Sequence, residues 1–262
     1  MKTRLLAIVS GLGVLLGLSG CLEVDQILTL NKDGSGTIVE ETVLGAQMVA
    51  MMEMGAAQGA GGPDPMAKLY DEEQYKNKAD AYGEGVEFVK LEKVQRNGGK
   101  GVKAHYKFAD INTVVFEPGS GMDQMGDMAP GETKVDSQPL KFKYADGKLT
   151  ITFPDPPEDE DAELPGDVAN PEMAQMAAMF KDMRIGAKLV VAPGIAETNA
   201  SNVEGDTITL MDVNFGKILE NPDGMKVLQK LDMKDRKKME AALKDVKGVK
   251  IETKKTVEVK LK

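Results

Sequence analysis

Leu140, Phe142 and Tyr144 occupy every second position up to Asp146-Gly147, and Leu149, Ile151 and Phe153 resume the same spacing after it. A period of two puts these side chains on one face of an extended chain, and Asp-Gly suits the left-handed residues of a tight hairpin turn. The pattern recurs along the sequence. Val24, Ile27, Leu28 and Leu30 precede Asn31-Lys32-Asp33-Gly34-Ser35-Gly36, and the β-prone run Thr37 to Leu44 follows. Residues 86–109 form a second hairpin around Arg96-Asn97-Gly98-Gly99, with Val102, Ala104, Tyr106 and Phe108 on one face and Lys103, His105 and Lys107 on the other. Further strands are expected at 185–192 and 205–213. At the C-terminus Val249, Ile251, Thr253, Val257, Val259 and Leu261 share a face, opposite Lys250, Glu252, Lys254, Glu258 and Lys260. Alternation of this kind describes antiparallel strands with one wet face.

Helices are fewer. Asp64-Pro65 and Asn170-Pro171 each pair an N-cap residue with proline at the first helical position, which predicts helices near 65–80 and 171–183. A short helix at 223–231 and a Lys-rich one at 234–245 complete the set. Residues 117–138, rich in Gly, Pro and Met, and the Pro-rich acidic stretch 154–169 read as mobile insertion loops. The expected fold class is α+β: an antiparallel, hairpin-rich sheet covered by a few helices.

The first residues have a different character. Lys2 and Arg4 precede an apolar run, Leu5 to Leu16, that is too short to span a hydrocarbon core of roughly 30 Å, so it reads as a cleaved export signal. It ends in Leu18-Ser19-Gly20-Cys21, which resembles a bacterial lipobox. That resemblance implies cleavage before Cys21, a diacylglycerol thioether on its sulfur and anchorage to a bilayer, because two or three chains hold a protein where one does not. Leu22 follows the cysteine, and in a Gram-negative host the resemblance implies the outer membrane, facing the periplasm. The expected organisation is a signal peptide at 1–20, an α+β envelope domain at 21–216 and a charged helix–strand extension at 217–262, packed on the same domain.

Composition narrows the chemistry. The 262 residues include one Cys, one His and no Trp, with 33 Lys and Arg against 42 Asp and Glu. A disulfide scaffold and a zinc centre need more ligands than that, and a nucleic-acid surface needs a basic balance. His105 alternates with lysines and is expected to face water, and Ser120 lacks the Gly-x-Ser-x-Gly frame of a nucleophile elbow. The chain therefore reads as non-catalytic, with no cofactor. From Lys234 to Lys262 there are 11 Lys and Arg against 5 Asp and Glu, a basic end expected to neutralise acidic parts of its own chain in preference to lipid headgroups.

Methionine is abundant, at 17 residues. Met173, Met176, Met179 and Phe180, continued by Met183, repeat at helical spacing and describe a stripe packed on a sheet, which can serve as the wall of a lipid or apolar-ligand groove. Met48, Met51, Met52 and Met54 form a second cluster. Met122, Met125 and Met128 lie among Gly, Asp and Pro where no helix face explains them, and thioethers select Cu(I). The alternatives to a lipid-binding lipoprotein are thus a periplasmic Cu(I) binder and a structural partner of other envelope proteins.

Several segments together resemble a family of bacterial lipoproteins that includes the mycobacterial LppM type. They are the lipobox, Asp33-Gly34-Ser35-Gly36-Thr37, Val190-Val191-Ala192-Pro193-Gly194, Thr198-Asn199-Ala200, and Val203-Glu204-Gly205-Asp206-Thr207-Ile208-Thr209-Leu210. The match covers the two ends of a segment from about residue 22 to 216 and consists mainly of turn and strand chemistry. It implies an α+β envelope domain with lipid or glycolipid contact and transfers no catalytic residue. The sequence departs from the mycobacterial type in carrying the charged 217–262 extension in place of a C-terminal membrane helix.

Overall fold

The computed structural model of the chain describes residues 22–57, 65–120, 138–155, 181, 183–221, 226–227 and 235–262. Its fold is mixed α+β and mostly antiparallel, but the strands divide between two sheets where one was expected. In order they are β1 (Leu22–Leu30), β2 (Gly36–Leu44), β3 (Glu87–Arg96), β4 (Gly99–Phe108), β5 (Lys141–Ala145), β6 (Lys148–Thr152), β7 (Met183–Val191), β8 (Ile195–Thr198), β9 (Val203–Glu204), β10 (Thr207–Asn214), β11 (Val249–Ile251) and β12 (Thr256–Leu261). The large sheet runs β11-β10-β7-β1-β2-β4-β3, with β9 against β10, and the small one runs β5-β6-β12-β8.

All three expected hairpins form. Asn97 and Gly98, and likewise Asp146 and Gly147, have positive φ (51°, 80°, 50° and 72°), the pair that a tight two-residue turn requires. At the first hairpin Asp33 Oδ1 accepts from the backbone N–H and the hydroxyl of Ser35, so the Asp33-Gly34 segment is a turn, as its sequence indicates. One pairing departs from the antiparallel expectation: β1 and β7 are parallel, Leu22 opposite Met183 and Leu30 opposite Val191. Parallel strands need a crossover between them, and the long connection from β1 to β7 supplies it.

The C-terminal alternation is not one strand. Val249–Ile251 pairs with β10 in the large sheet, and Thr256–Leu261 pairs with β6 and β8 in the small one. The chain changes sheet through Glu252 and Thr253, both buried, although Glu252 was expected on the wet face. The carboxylate of Glu252 is satisfied locally, accepting from the Ser201 N–H at 2.7 Å, the Ser201 hydroxyl at 2.8 Å and the Lys254 N–H at 3.0 Å. Asn199, in the Thr198-Asn199-Ala200 turn, ties β12 to this corner by accepting from the Glu258 N–H and donating to the Thr256 carbonyl.

The helices are α1 (Ala46–Ala57), α2 (Pro65–Leu69), α3 (Glu72–Ala81), α4 (Phe215–Leu219) and α5 (Arg236–Leu243). The helix expected over 65–80 is broken, because the Asp71 side chain accepts from the Glu73 N–H and starts a new helix there. Helix α1 has no side-chain cap or polar periodicity by which its sequence could announce it. Met183, expected to end a helix, begins β7 instead, and Lys181 lies in a turn; the other residues of the 171–183 prediction lie outside those described. Helix α5 forms within its expected range, with Asp235 capping its N-terminus. Lys255 pairs with Asp155 and Lys262 with Asp206, so part of the basic end does meet acidic side chains of its own chain.

Two apolar blocks cover the inner face of the large sheet. Leu28, Leu30, Ile38, Phe108, Leu189 and Val191 pack with Leu149, Ile151, Val257 and Val259 of the small sheet. At the other end of the strands, Leu22, Val24, Leu44 and Ile185 pack with Val49 of α1 and Met66 of α2. The outer face is wet and charged. Arg184 lies between Asp212 and Asp25, while Glu41 receives both Arg96 and Lys103.

Candidate functional site

Between the two apolar blocks the inner face turns polar. Strand β1 presents Leu22, Val24, Gln26, Leu28 and Leu30 inward, and β2 presents Ile38, Glu40, Thr42 and Leu44. Gln26 lies directly opposite Glu40, and both are fully buried. Their neighbours across the sheet are small, Ala187 beside Gln26 and Ala104 beside Glu40.

Helix α3 and its C-cap residue supply the groups that meet this pair. Tyr75, Lys78 and Tyr82 follow one another at spacings of three and four, which places them on one side of the helix. The Lys78 ammonium lies 2.9 Å from Oε1 and 2.7 Å from Oε2 of Glu40, and the Tyr82 hydroxyl donates to Oε2. Gln26 donates to the Ser120 hydroxyl at 3.0 Å and accepts from the Gly119 N–H at 2.8 Å. Residues 117–120 therefore dock on the core, a correction to the expectation that the insertion begins at 117. Gly119 has φ +92°, a left-handed conformation open to glycine, and that conformation carries its N–H onto Gln26.

The rings of Tyr82 and Tyr106 lie 5.0 Å apart, and Phe88 meets Tyr106 edge-on at 5.9 Å. Burial, reinforced by the nearby Glu40 carboxylate, pushes the phenols of Tyr75, Tyr82 and Tyr106 well up. All three thus stay neutral and available as donors. Tyr75 donates to the Leu69 carbonyl. The Tyr106 hydroxyl and Thr42 Oγ1 are buried with no hydrogen-bond partner among the described residues. A buried hydroxyl left in that condition costs about 1–3 kcal/mol.

The polar row adjoins a surface rich in thioethers. One register step from Gln26 and Glu40 stand Val24 and Thr42, where the apolar block of Leu22, Val24, Leu44 and Ile185 begins. Met66 and Met183 belong to that block, and Met48, Met52 and Met211 pack against it. Five methionines from α1, α2, β7 and β10 thus pack in a block that starts one register step from the buried Gln26 and Glu40, at the level of the unsatisfied Thr42 hydroxyl, while Tyr106 stands on the other side of the row, opposite Ile38. Thioethers adapt to irregular apolar shapes, so the combination suits a molecule with an apolar body and a polar end.

The residues singled out from sequence fare differently. Cys21, the proposed groove residues Met173, Met176, Met179 and Phe180, and the Cu(I) candidates Met122, Met125 and Met128 all lie outside the described residues. The cluster on α1 divides, with Met48 and Met52 packed inward and Met51 and Met54 exposed. Among the described residues no group of three or more His, Cys, Asp or Glu could hold a metal ion. His105 lies on the outer face against Glu92 Oε2 at 2.6 Å, across the sheet from Ser120, so the two cannot work together. Sequence reading passed over Gln26, Glu40, Thr42, Lys78, Tyr82 and Tyr106. Its one available signal was parity, since Gln26, Glu40 and Thr42 interrupt otherwise apolar inward positions.

Among the described residues no helix is long and apolar enough to cross a membrane. No family model matches the chain, and no curated protein matches it. Among solved structures it is similar to the NMR structure of the folded domain of Mycobacterium tuberculosis LppM, at 13% identity and a TM-score of 0.32, over 76% of this chain and 85% of that one. A likeness so shallow carries no role across.

Proposed function

We propose that this chain is an envelope lipoprotein, anchored through acylated Cys21, that binds a lipid or other amphiphile without catalysis. The single observation behind the ligand is the juxtaposition on one sheet face of a five-methionine apolar block and the Gln26–Glu40 row, with the hydroxyls of Tyr106 and Thr42 unsatisfied beside it. In this reading the methionines take the apolar body. The hydroxyls and the Lys78–Glu40 pair meet the polar group, exchanging hydrogen bonds otherwise lost to burial. The anchor rests on the sequence, where Leu18-Ser19-Gly20-Cys21 closes an apolar export signal and the cysteine is the only one. Localisation to the cell envelope follows from the anchor.

Two measurements test the two halves. Incorporation of radiolabelled palmitate, lost in Cys21→Ser, reads the anchor. Native mass spectrometry of protein incubated with a total bacterial lipid extract reads the ligand. A bound lipid that is reduced in both Tyr106→Phe and Met183→Ala supports the site. Protein that stays empty, or lipid binding indifferent to both substitutions, refutes it.

A further inference from the structure

Helix α1 is apolar on two opposite sides. Val49, with Met48 and Met52, faces inward onto Leu22, Val24 and Leu44. Gln47, Ala50, Met51 and Met54 are exposed, and they stand at i, i+3, i+4 and i+7, so they form one continuous stripe. At 55% and 57%, Met51 and Met54 are the most exposed large apolar side chains among the described residues. The helix carries one charge, Glu53, which lies off the stripe and pairs with Lys100 at 2.7 Å. A water-facing helix ordinarily puts charged residues where this one puts methionine, and a helix apolar on both sides is either enclosed in protein or set against lipid.

We infer that the Ala50–Met51–Met54 stripe of α1 lies against the bilayer that holds the acyl chains of Cys21, as a second, non-covalent membrane contact. The inference rests on the lipid anchor proposed above. Position identifies the occupant. Strand β1 begins at Leu22, the residue after Cys21, so the acyl chains leave the fold within about 4 Å of chain from that strand's first Cα. Leu22 pairs with Leu44, two residues before α1 starts, and Leu22, Leu44 and Val49 share one apolar cluster. Anchor and stripe therefore belong to the same end of the sheet. A bilayer entered by the chains is already beside the helix, whereas a soluble partner would have to displace it. The stripe bears no cation for headgroups, so the contact is apolar and insensitive to salt, as for a helix lying in the interface.

The test uses the processed, lipidated protein in vesicles of phosphatidylethanolamine and phosphatidylglycerol, with palmitate content measured on the same preparation. A nitroxide is placed at Met51→Cys, or for comparison at Glu204→Cys, an exposed site at the far end of the sheet. Acylation consumes the native thiol, so each label has one address. The expected result is that the label at 51 is shielded from a water-soluble nickel chelate and reached by oxygen, while the label at 204 is not. Adding Met54→Glu should move the inserted-to-free ratio of the helix roughly tenfold toward free. If palmitate is present and the label at 51 is as open to nickel as that at 204, this inference falls and the anchor stands. Spin–spin broadening at 51 would assign the stripe to a second copy and also overturn it. Absence of palmitate overturns the anchor itself, and this inference with it.

Discussion

Lys78→Met is the most informative perturbation of the buried pair. Glu40 is 1% exposed, and its carboxylate accepts two contacts from Lys78 and one from Tyr82. Removing the ammonium leaves a carboxylate deep between two apolar blocks that still accepts from the Tyr82 phenol. Breaking a buried ion pair on one side costs about 3–5 kcal/mol, and the retained phenol places this site near the lower end, at about 3 kcal/mol. Glu40→Gln keeps the shape and loses the charge-assisted bonds, at about 1–2 kcal/mol. The double variant Glu40→Met/Lys78→Met exchanges the pair for apolar volume and should return to within about 1 kcal/mol of the parent, because desolvating both ions roughly offsets their attraction. Urea unfolding followed by circular dichroism yields all of these values, and unchanged slopes would license their comparison. The reasoning fails if Lys78→Met costs less than about 1 kcal/mol, or if the double variant is the least stable of the set.

Other consequences are simpler to state. Gly36→Ala would put a Cβ 1.9 Å from the Thr29 carbonyl oxygen and 2.4 Å from the Phe108 ring, so β1 and β2 must part; a loss of about 3 kcal/mol or more in urea unfolding is expected. Leu149 is fully buried between the sheets, and Leu149→Ala should cost about 2–5 kcal/mol by the same measurement. Tyr106→Phe removes an unsatisfied buried hydroxyl, so in ligand-free protein its unfolding free energy should equal or exceed the parent's. The Ser35 hydroxyl and N–H hold the Asp33 carboxyl below its ordinary 3.8, and the Ile195 and Lys238 N–H groups do the same for Asp206 and Asp235. Because these folded-state values are depressed, their stabilisation is present above the unfolded value and is lost as pH falls below about 4. Asp206→Asn should flatten that acid limb in a thermal-melt series.

The hairpins were legible because their information is local. Asp146-Gly147 and Asn97-Gly98 specify a turn, and the alternation of Val102, Ala104, Tyr106 and Phe108 specifies a face, with no reference to distant residues. The split of 249–261 between two sheets was not legible, since its parity runs unbroken through Glu252 and Thr253 and the change of partner leaves no mark in it. Helix α1 was missed for a related reason: with apolar residues on both sides it shows no polar–apolar period. Gln26, Glu40 and Thr42 did stand out of pattern, but a polar residue at an inward position can mean a slipped register or a bulge as readily as a buried site.

From its order of residues alone this protein was bound to an antiparallel-rich α+β fold, to the places where its chain reverses and to a lone thiol directly after an apolar N-terminal run. Those are properties of neighbours within a few positions, where torsional preference and side-chain period act directly. Tertiary structure decided that β7 lies parallel to β1, that methionines from α1, α2, β7 and β10 meet, and that Lys78 reaches a glutamate 38 positions away. Such meetings depend on which surfaces exclude water together. That is settled by the packing of whole sheets and helices, and no local stretch of sequence records it.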